Sequence, residues 1–200
     1  MTYIKLIFVL LFPLTLFSQR KLRDSIIVKN TVFKIMYSEK LQQPLQVEYR
    51  ATCYNGKVSR ALMDFYTNDS IITSNDADYL HNIYDKGHMA PAADFNCDKK
   101  SLHETFSYLN CALQHQDLNR GTWKTLEEYE RNLIKTKGPI KVKIVIEFKK
   151  PSKVLSTGAT IPSGFFKYIT VEKTNEVYSF YMPNITPTSQ NIFSYSLKKF

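Results

Sequence analysis

No Cys-x-x-Cys pair occurs in this 200-residue chain, so the spacing typical of a structural zinc site is missing. The three cysteines, Cys53, Cys97 and Cys111, allow one disulfide with one thiol left over, or three buried thiols, and their positions do not choose. No apolar run reaches the roughly 20 residues that a membrane span needs; the stretch from Leu6 to Phe17 falls short. Internal repeats, low-complexity segments and an interdomain linker are all absent, so the chain reads as one domain, long enough to bury a core of its own. Acidic residues are in deficit, 18 against 27 lysines and arginines, for a net charge of +9. That balance favours a polyanionic partner, nucleic acid or an acidic membrane surface, over a merely basic solvated exterior only weakly. Hydrophobic residues at 44% and aromatics at 14% exclude a disordered chain.

Lys5, the apolar run and the small Ser18 have the layout of a secretory signal peptide over residues 1–18, cleaved near Ser18 or Gln19. An uncleaved anchor is the alternative. No cysteine follows the run, so a lipid anchor has no attachment point. The expectation is a mature domain over residues 19–200, secreted or periplasmic, with no membrane contact after cleavage. Oligomeric state stays open, a homodimer included.

Periodicity supplies the elements. Residues 26–37 are apolar but of undecided type. Leu45, Val47, Tyr49, Ala51 and Cys53 alternate with polar residues, which predicts a half-buried strand, and Asn55-Gly56 predicts a hairpin turn after it. Residues 64–80 and 96–104 read as loops. Thr105–Leu113 reads as a short strand. Residues 119–137 carry a helical stripe of Trp123, Leu126, Leu133 and Ile134, stopped by Gly138-Pro139. Strands follow at 140–148, 165–171 and 177–182, and the tail from Thr188 is a short helix or irregular. Strands, one long central helix, then strands make an α+β fold with a mainly antiparallel sheet.

Two segments carry chemistry. The first, YDKGHMAPAAD at residues 84–94, sets Asp85, Lys86, Gly87 and His88 side by side, with a glycine that permits a sharp turn close to a ligand. The second begins at Asn119, and Asn119, Trp123, Glu127 and Arg131 recur every four residues, drifting slowly across one helix face. Taken singly, each has an ordinary explanation. His88 can be a plain histidine, Asn119 a helix cap, Glu127 and Arg131 a surface pair, Lys86 a solvated cation and Asp85 a turn brace. His81, His103 and His115 stand in no arrangement that singles them out. The order and spacing of the whole set carry the argument.

On those residues the chain resembles the DNA/RNA non-specific endonucleases of the ββα-metal class, which include secreted bacterial nucleases and mitochondrial endonuclease G. Their Asp-Arg-Gly-His signature stands here as DKGHMAPAADF, their helix as NRGTWKTLEEYER, and the segment before it as LNCALQ at residues 109–114. Weaker similarity continues through IPSGFFK at 161–167 and YMPN at 181–184. The resemblance implies that His88 is the general base and that Asn119 is the direct protein ligand of one magnesium or manganese ion. It further implies that Glu127 holds a water of that ion's shell, and that Asn110 arranges the site. Arg131 and Lys86 would bind phosphate, with Arg60 a looser match, and Asp85 would be structural. Lys86, Leu113 and Leu109 depart from the family's arginine, proline and serine.

The chemistry is coherent on its own terms. A neutral imidazole can take a proton from water near neutral pH. Magnesium prefers oxygen ligands and keeps several waters, so a single amide suffices. The expected function is an exported, metal-dependent endonuclease that cuts DNA and RNA with little sequence specificity. The alternative is a degenerate, non-catalytic nucleic-acid-binding protein of the cell envelope.

Overall fold

The structure, a computed structural model, describes residues 21–68 and 70–197; the leader expected at residues 1–18 lies outside the described residues. In chain order the elements are β1 (Ile26–Lys29), β2 (Phe33–Ser38), β3 (Gln43–Ala51), β4 (Tyr84–His88), α1 (Lys99–Thr105), β5 (Cys111–His115) and α2 (Gln116–Leu118). Then come α3 (Lys124–Lys137), β6 (Ile140–Glu147), β7 (Lys153–Val154), β8 (Thr160–Ile161), β9 (Gly164–Val171) and β10 (Val177–Pro183). Six strands form one antiparallel sheet in the order β1-β2-β3-β6-β9-β10, while β4 and β5 make a separate two-stranded ribbon. The fold is α+β, as the sequence pattern implies.

Alternation explains the sheet. In β6, Ile140, Val142, Ile144 and Ile146 are buried while Lys141 and Lys143 face solvent. In β3, Val47, Tyr49 and Ala51 are buried in the predicted register. The undecided stretch at 26–37 is a hairpin. Asn30 accepts backbone N–H bonds from Val32 and Phe33 at 2.9 and 2.8 Å, and that side-chain turn splits one apolar run into two strands.

Three expectations fail. Asn55-Gly56 makes no hairpin, because both neighbours of β3 in the sheet, β2 and β6, come from elsewhere in the chain. Gly56 instead lets the backbone lie against Asn96, where an added Cβ would sit 2.2 Å from Asn96 Oδ1. Cys53 and Cys97 form a disulfide beside that contact, and Cys111 is a buried free thiol. Residues 96–104 are not a loop throughout, since Asp98 caps α1 by accepting from Ser101 N at 2.8 Å. Thr105 ends that helix and does not open a strand. Residues 108–110 form a tight turn, and only Cys111 begins β5. The loop at 64–80 is largely irregular, with a single turn at Asp76–Tyr79, and the tail carries one such turn at Ile192–Tyr195.

The long helical segment runs from Gln116 to Lys137 with a kink at Gly121, whose φ and ψ of −105° and −109° are non-helical. It ends at Gly138, where φ is +95°, a conformation natural to glycine. Leu126, Leu133 and Ile134 bury against the sheet. At the centre of that contact Lys167 of β9 ion-pairs with Glu130 of α3, both without exposed side-chain surface. Tyr49 donates to the other Glu130 oxygen at 2.7 Å, and the Lys167 ammonium sits 4.5 Å from the centroid of the Trp123 ring. Two side chains tie the β4–β5 ribbon to the sheet. Gln43 accepts from Leu113 N at 3.0 Å, while Asn184 accepts from His115 N and donates to Leu113 O and Pro162 O.

A buried pair is costly to halve. Lys167→Met strands the Glu130 carboxylate and is expected to lower stability by about 3–5 kcal/mol. The double variant Lys167→Met/Glu130→Leu should recover most of that loss. Urea unfolding checks both, and an unchanged midpoint for Lys167→Met would contradict the assignment.

Candidate active site

β4, β5 and the helical segment that follows them form a ββα unit, with His88 at the end of β4 and Asn119 directly after α2, four residues past the end of β5. Residues 84–88 form an extended strand, not the sharp turn expected of Asp85-Lys86-Gly87-His88. Its glycine serves packing, since a Cβ on Gly87 would lie 2.4 Å from Gln114 Oε1 and 2.6 Å from Gln114 Cβ. Just past His88, Asn110 clamps the chain. It accepts from Ala90 N at 2.8 Å and donates to Ala90 O and Thr105 O at 2.9 Å.

A cavity of about 700 Å³ opens where the ribbon meets the helix, and His88, Asn119, Glu127, Arg131 and Arg60 all line it. Asp85, Lys86 and Asn110 do not. Asp85 lies behind Asn119, accepting from its Nδ2 at 2.9 Å and from the Arg120 guanidinium at 2.8 and 2.7 Å. With Nδ2 committed, Oδ1 is the atom Asn119 has left for a ligand. Asn119 is itself helical and does not act as a cap through its side chain. Lys86 ion-pairs with Asp76, which also accepts from the Tyr108 hydroxyl. Its ammonium lies 5.4 and 5.5 Å from the Phe65 and Tyr108 ring centroids. This lysine braces the 64–80 segment and, so placed, is not at hand to clamp a phosphate in the cavity.

Trp123 also departs from the four-residue series. It is fully buried against Phe165, because the kink at Gly121 interrupts the helical progression between Asn119 and Glu127. The residues of this segment that do reach the cavity are Asn119 and Arg120 before the kink, and Lys124, Glu127 and Arg131 after it, the last three at i, i+3 and i+7 on one helical face. Sequence reasoning passed over Arg120 and Lys124, and also Asp94, the buried partner of Arg131 at 3.0 Å. Nothing in the sequence pointed to Phe65 and Phe106, whose rings lie 4.8 and 4.9 Å from that of His88.

These neighbours set the electrostatics. Burial, and secondarily the Arg60 charge, together lower the His88 imidazole to about 4. Nε2 is buried with no hydrogen-bond partner, which leaves Nδ1 as the nitrogen open to the cavity. Burial pushes the Glu127 carboxyl up to about 7, partly offset by the Lys167 charge. Burial beside Glu130 raises Asp94 well above the ordinary carboxylate range, against the pull of Arg131.

Among the described residues no group of three or more His, Cys, Asp or Glu side chains could cage a metal ion. On the helix side of the cavity Asn119 and Glu127 present an amide oxygen and a carboxylate, donors that suit a hard cation keeping most of its water. The family model for DNA/RNA non-specific endonucleases matches residues 18–200. The chain belongs to this family. Over 146 residues it is 31% identical to the mitochondrial endonuclease G of Bos taurus, covering 64% of this chain and 49% of that protein. Mitochondrial Nuclease 1 of Schizosaccharomyces pombe is 28% identical over 166 residues, 72% of this chain and 50% of that one. The chain therefore spans about half the length of these curated relatives. Its fold matches the solved EndoG/EndoGI complex with a TM-score of 0.74 at 26% identity, covering 86% of this chain and 80% of that one.

For this endonuclease-family chain the His88 environment makes a pH prediction. An ordinary histidine titrates near 6.5 when unfolded, and His88 near 4 when folded. Below 6.5 the unfolded chain takes up the proton first, so this contribution to stability is whole above 6.5 and is lost as pH falls towards 4. The His88 ring in an NMR titration should show a midpoint near 4, raised by Arg60→Ala. A midpoint at or above 6.5 contradicts the burial argument.

Proposed function

We propose that this chain hydrolyses phosphodiester bonds of DNA and RNA, with little sequence specificity, using one divalent ion. The observation that carries the reading is the opening of a neutral His88 imidazole and the Asn119 amide onto one cavity ringed by cations. In this reading His88 Nδ1 takes the proton from the attacking water. Arg60, Arg120, Lys124 and Arg131 hold the phosphate and offset its developing charge. Asn119 Oδ1 would hold magnesium or manganese, with Glu127 engaging it through water; when bound, such an ion polarises a phosphate oxygen and stabilises the leaving 3′-oxygen. Water adds to phosphorus, the 3′-oxygen leaves, and the products are a 5′-phosphate and a 3′-hydroxyl. Cations that grip phosphate read no base edges, which supports action on both nucleic acids.

Export belongs to the same reading. The Cys53–Cys97 disulfide favours an oxidising compartment, in keeping with the leader expected at residues 1–18. A non-catalytic binder would need the cations but neither His88 nor Asn119.

Incubating purified protein with plasmid and with RNA tests the reading. Cleavage is expected with Mg²⁺ and none after EDTA. His88→Ala should abolish cleavage while DNA binding, spread over several cations and steeply salt-dependent, persists. Full cleavage in metal-free buffer would overturn the metal requirement, and a wild-type rate in His88→Ala would overturn the base.

A further inference from the structure

We propose that the face of the six-stranded sheet turned away from α3 is a second nucleic-acid contact surface, a platform for single strands. Tyr49 and Lys167 point from the sheet towards Glu130 of α3. By the two-residue alternation of strands, their neighbours Glu48, Arg50 and Tyr168 point the opposite way. A shallow groove of about 480 Å³ crosses that face, lined by Lys29, Lys34, Arg50, Lys141 and Lys143 together with Tyr168. Of these, Lys34, Arg50, Lys141 and Lys143 are exposed and Tyr168 is half-buried.

Arg50 lies directly across from Lys141, a like-charge pair of the kind that destabilises a sheet, while Lys34 and Lys143 both lie directly across from Glu48, and Lys143 also from Tyr168. Glu172 bridges Arg50 and Lys141, and Glu48 lies between Lys34 and Lys143 at 3.8 and 4.0 Å. Each carboxylate is thus shared by two cations, and positive charge remains in excess. In the adjoining row Phe166 and Tyr181 pair at 4.6 Å, so stackable rings lie beside the lysines.

An open antiparallel face with aromatic rings among cations has the chemistry to hold a single strand. Bases stack on the rings and phosphates meet the ammonium groups. A duplex keeps its bases stacked on one another and offers such rings little. The surface is separate from the His88 cavity, with which it shares no lining residue. It would hold a length of strand away from the His88 cavity, and the 30-mer arm of its test reads that binding whether or not the cavity cuts.

The test is fluorescence anisotropy with a labelled thymidine 30-mer in EDTA, so that binding is read without cleavage. Lys141→Gln/Lys143→Gln, which keeps most of each side-chain stem, should weaken binding at least tenfold. It should also flatten the dependence of log K on log salt by about 1.4, two single-strand contacts' worth. Tyr168→Ala should weaken binding about fivefold or more, with a smaller loss on a duplex of equal length. kcat/KM on a tetranucleotide, which the cavity alone can hold, should stay at the wild-type value in both variants. Unchanged 30-mer affinity in both overturns the proposal, as does a parallel fall in tetranucleotide cleavage. A wild-type dimer in sedimentation that Lys141→Gln/Lys143→Gln splits would assign the face to a second copy of the chain and overturn it equally.

Discussion

The Asp85 carboxylate joins the two halves of the site. It sits on β4 and holds both Asn119 and Arg120 of the helical segment. Burial alone would push this carboxyl up, but the hydrogen bonds from Arg120 and Asn119 outweigh it and hold Asp85 below the ordinary carboxylate range. One consequence is mechanical, because the strand that ends in His88 cannot shift against the helix without breaking three charge-assisted bonds. The other is chemical: with the Asn119 amide nitrogen engaged, its oxygen is held in one orientation, which the proposed metal-assisted reaction would use.

A second constraint acts on His88. The imidazole lies between Phe65 and Phe106 with one nitrogen buried and unpartnered, an arrangement that costs roughly 1–3 kcal/mol. In exchange the ring stays neutral, and the Arg60 charge favours the same state. Lys86 contributes from behind, pairing with Asp76 and packing on the Phe65 ring that touches His88. Cations line the cavity wall, and apolar rings flank the His88 imidazole.

What the sequence made legible follows from how local each signal is. The strands at 43–51 and 140–147 and the helix end at Gly138 depend on alternation and one left-handed residue, and both read directly. His88, Asn119, Glu127 and Arg131 were found because a run of four motif residues and a helical face are themselves local. Residues 96–104 were misread because the Asp98 cap uses a polar side chain that also favours loops, and residues 105–113 because an apolar run does not reveal the Asn110 clamp that turns the chain within it. Gly56 and Gly87 look like turn glycines, yet they exist for close approaches to Asn96 and Gln114, far away in the chain. The same holds for Lys86, whose partner Asp76 sits in a stretch without periodicity, and for Phe65. Long-range pairing was invisible, and the Cys53–Cys97 bridge shows it most plainly.

Asp85→Asn is the substitution that probes this account where it is most exposed. It preserves shape while removing the charge, and its amide NH2 replaces the oxygen that accepts from Arg120 Nη2, setting donor against donor. Titration of Mn²⁺ into the variant, followed by calorimetry, should show affinity 10- to 100-fold weaker than wild type, with the fold intact by circular dichroism. Wild-type Mn²⁺ affinity in a folded Asp85→Asn protein would contradict the claim that this carboxylate organises the site.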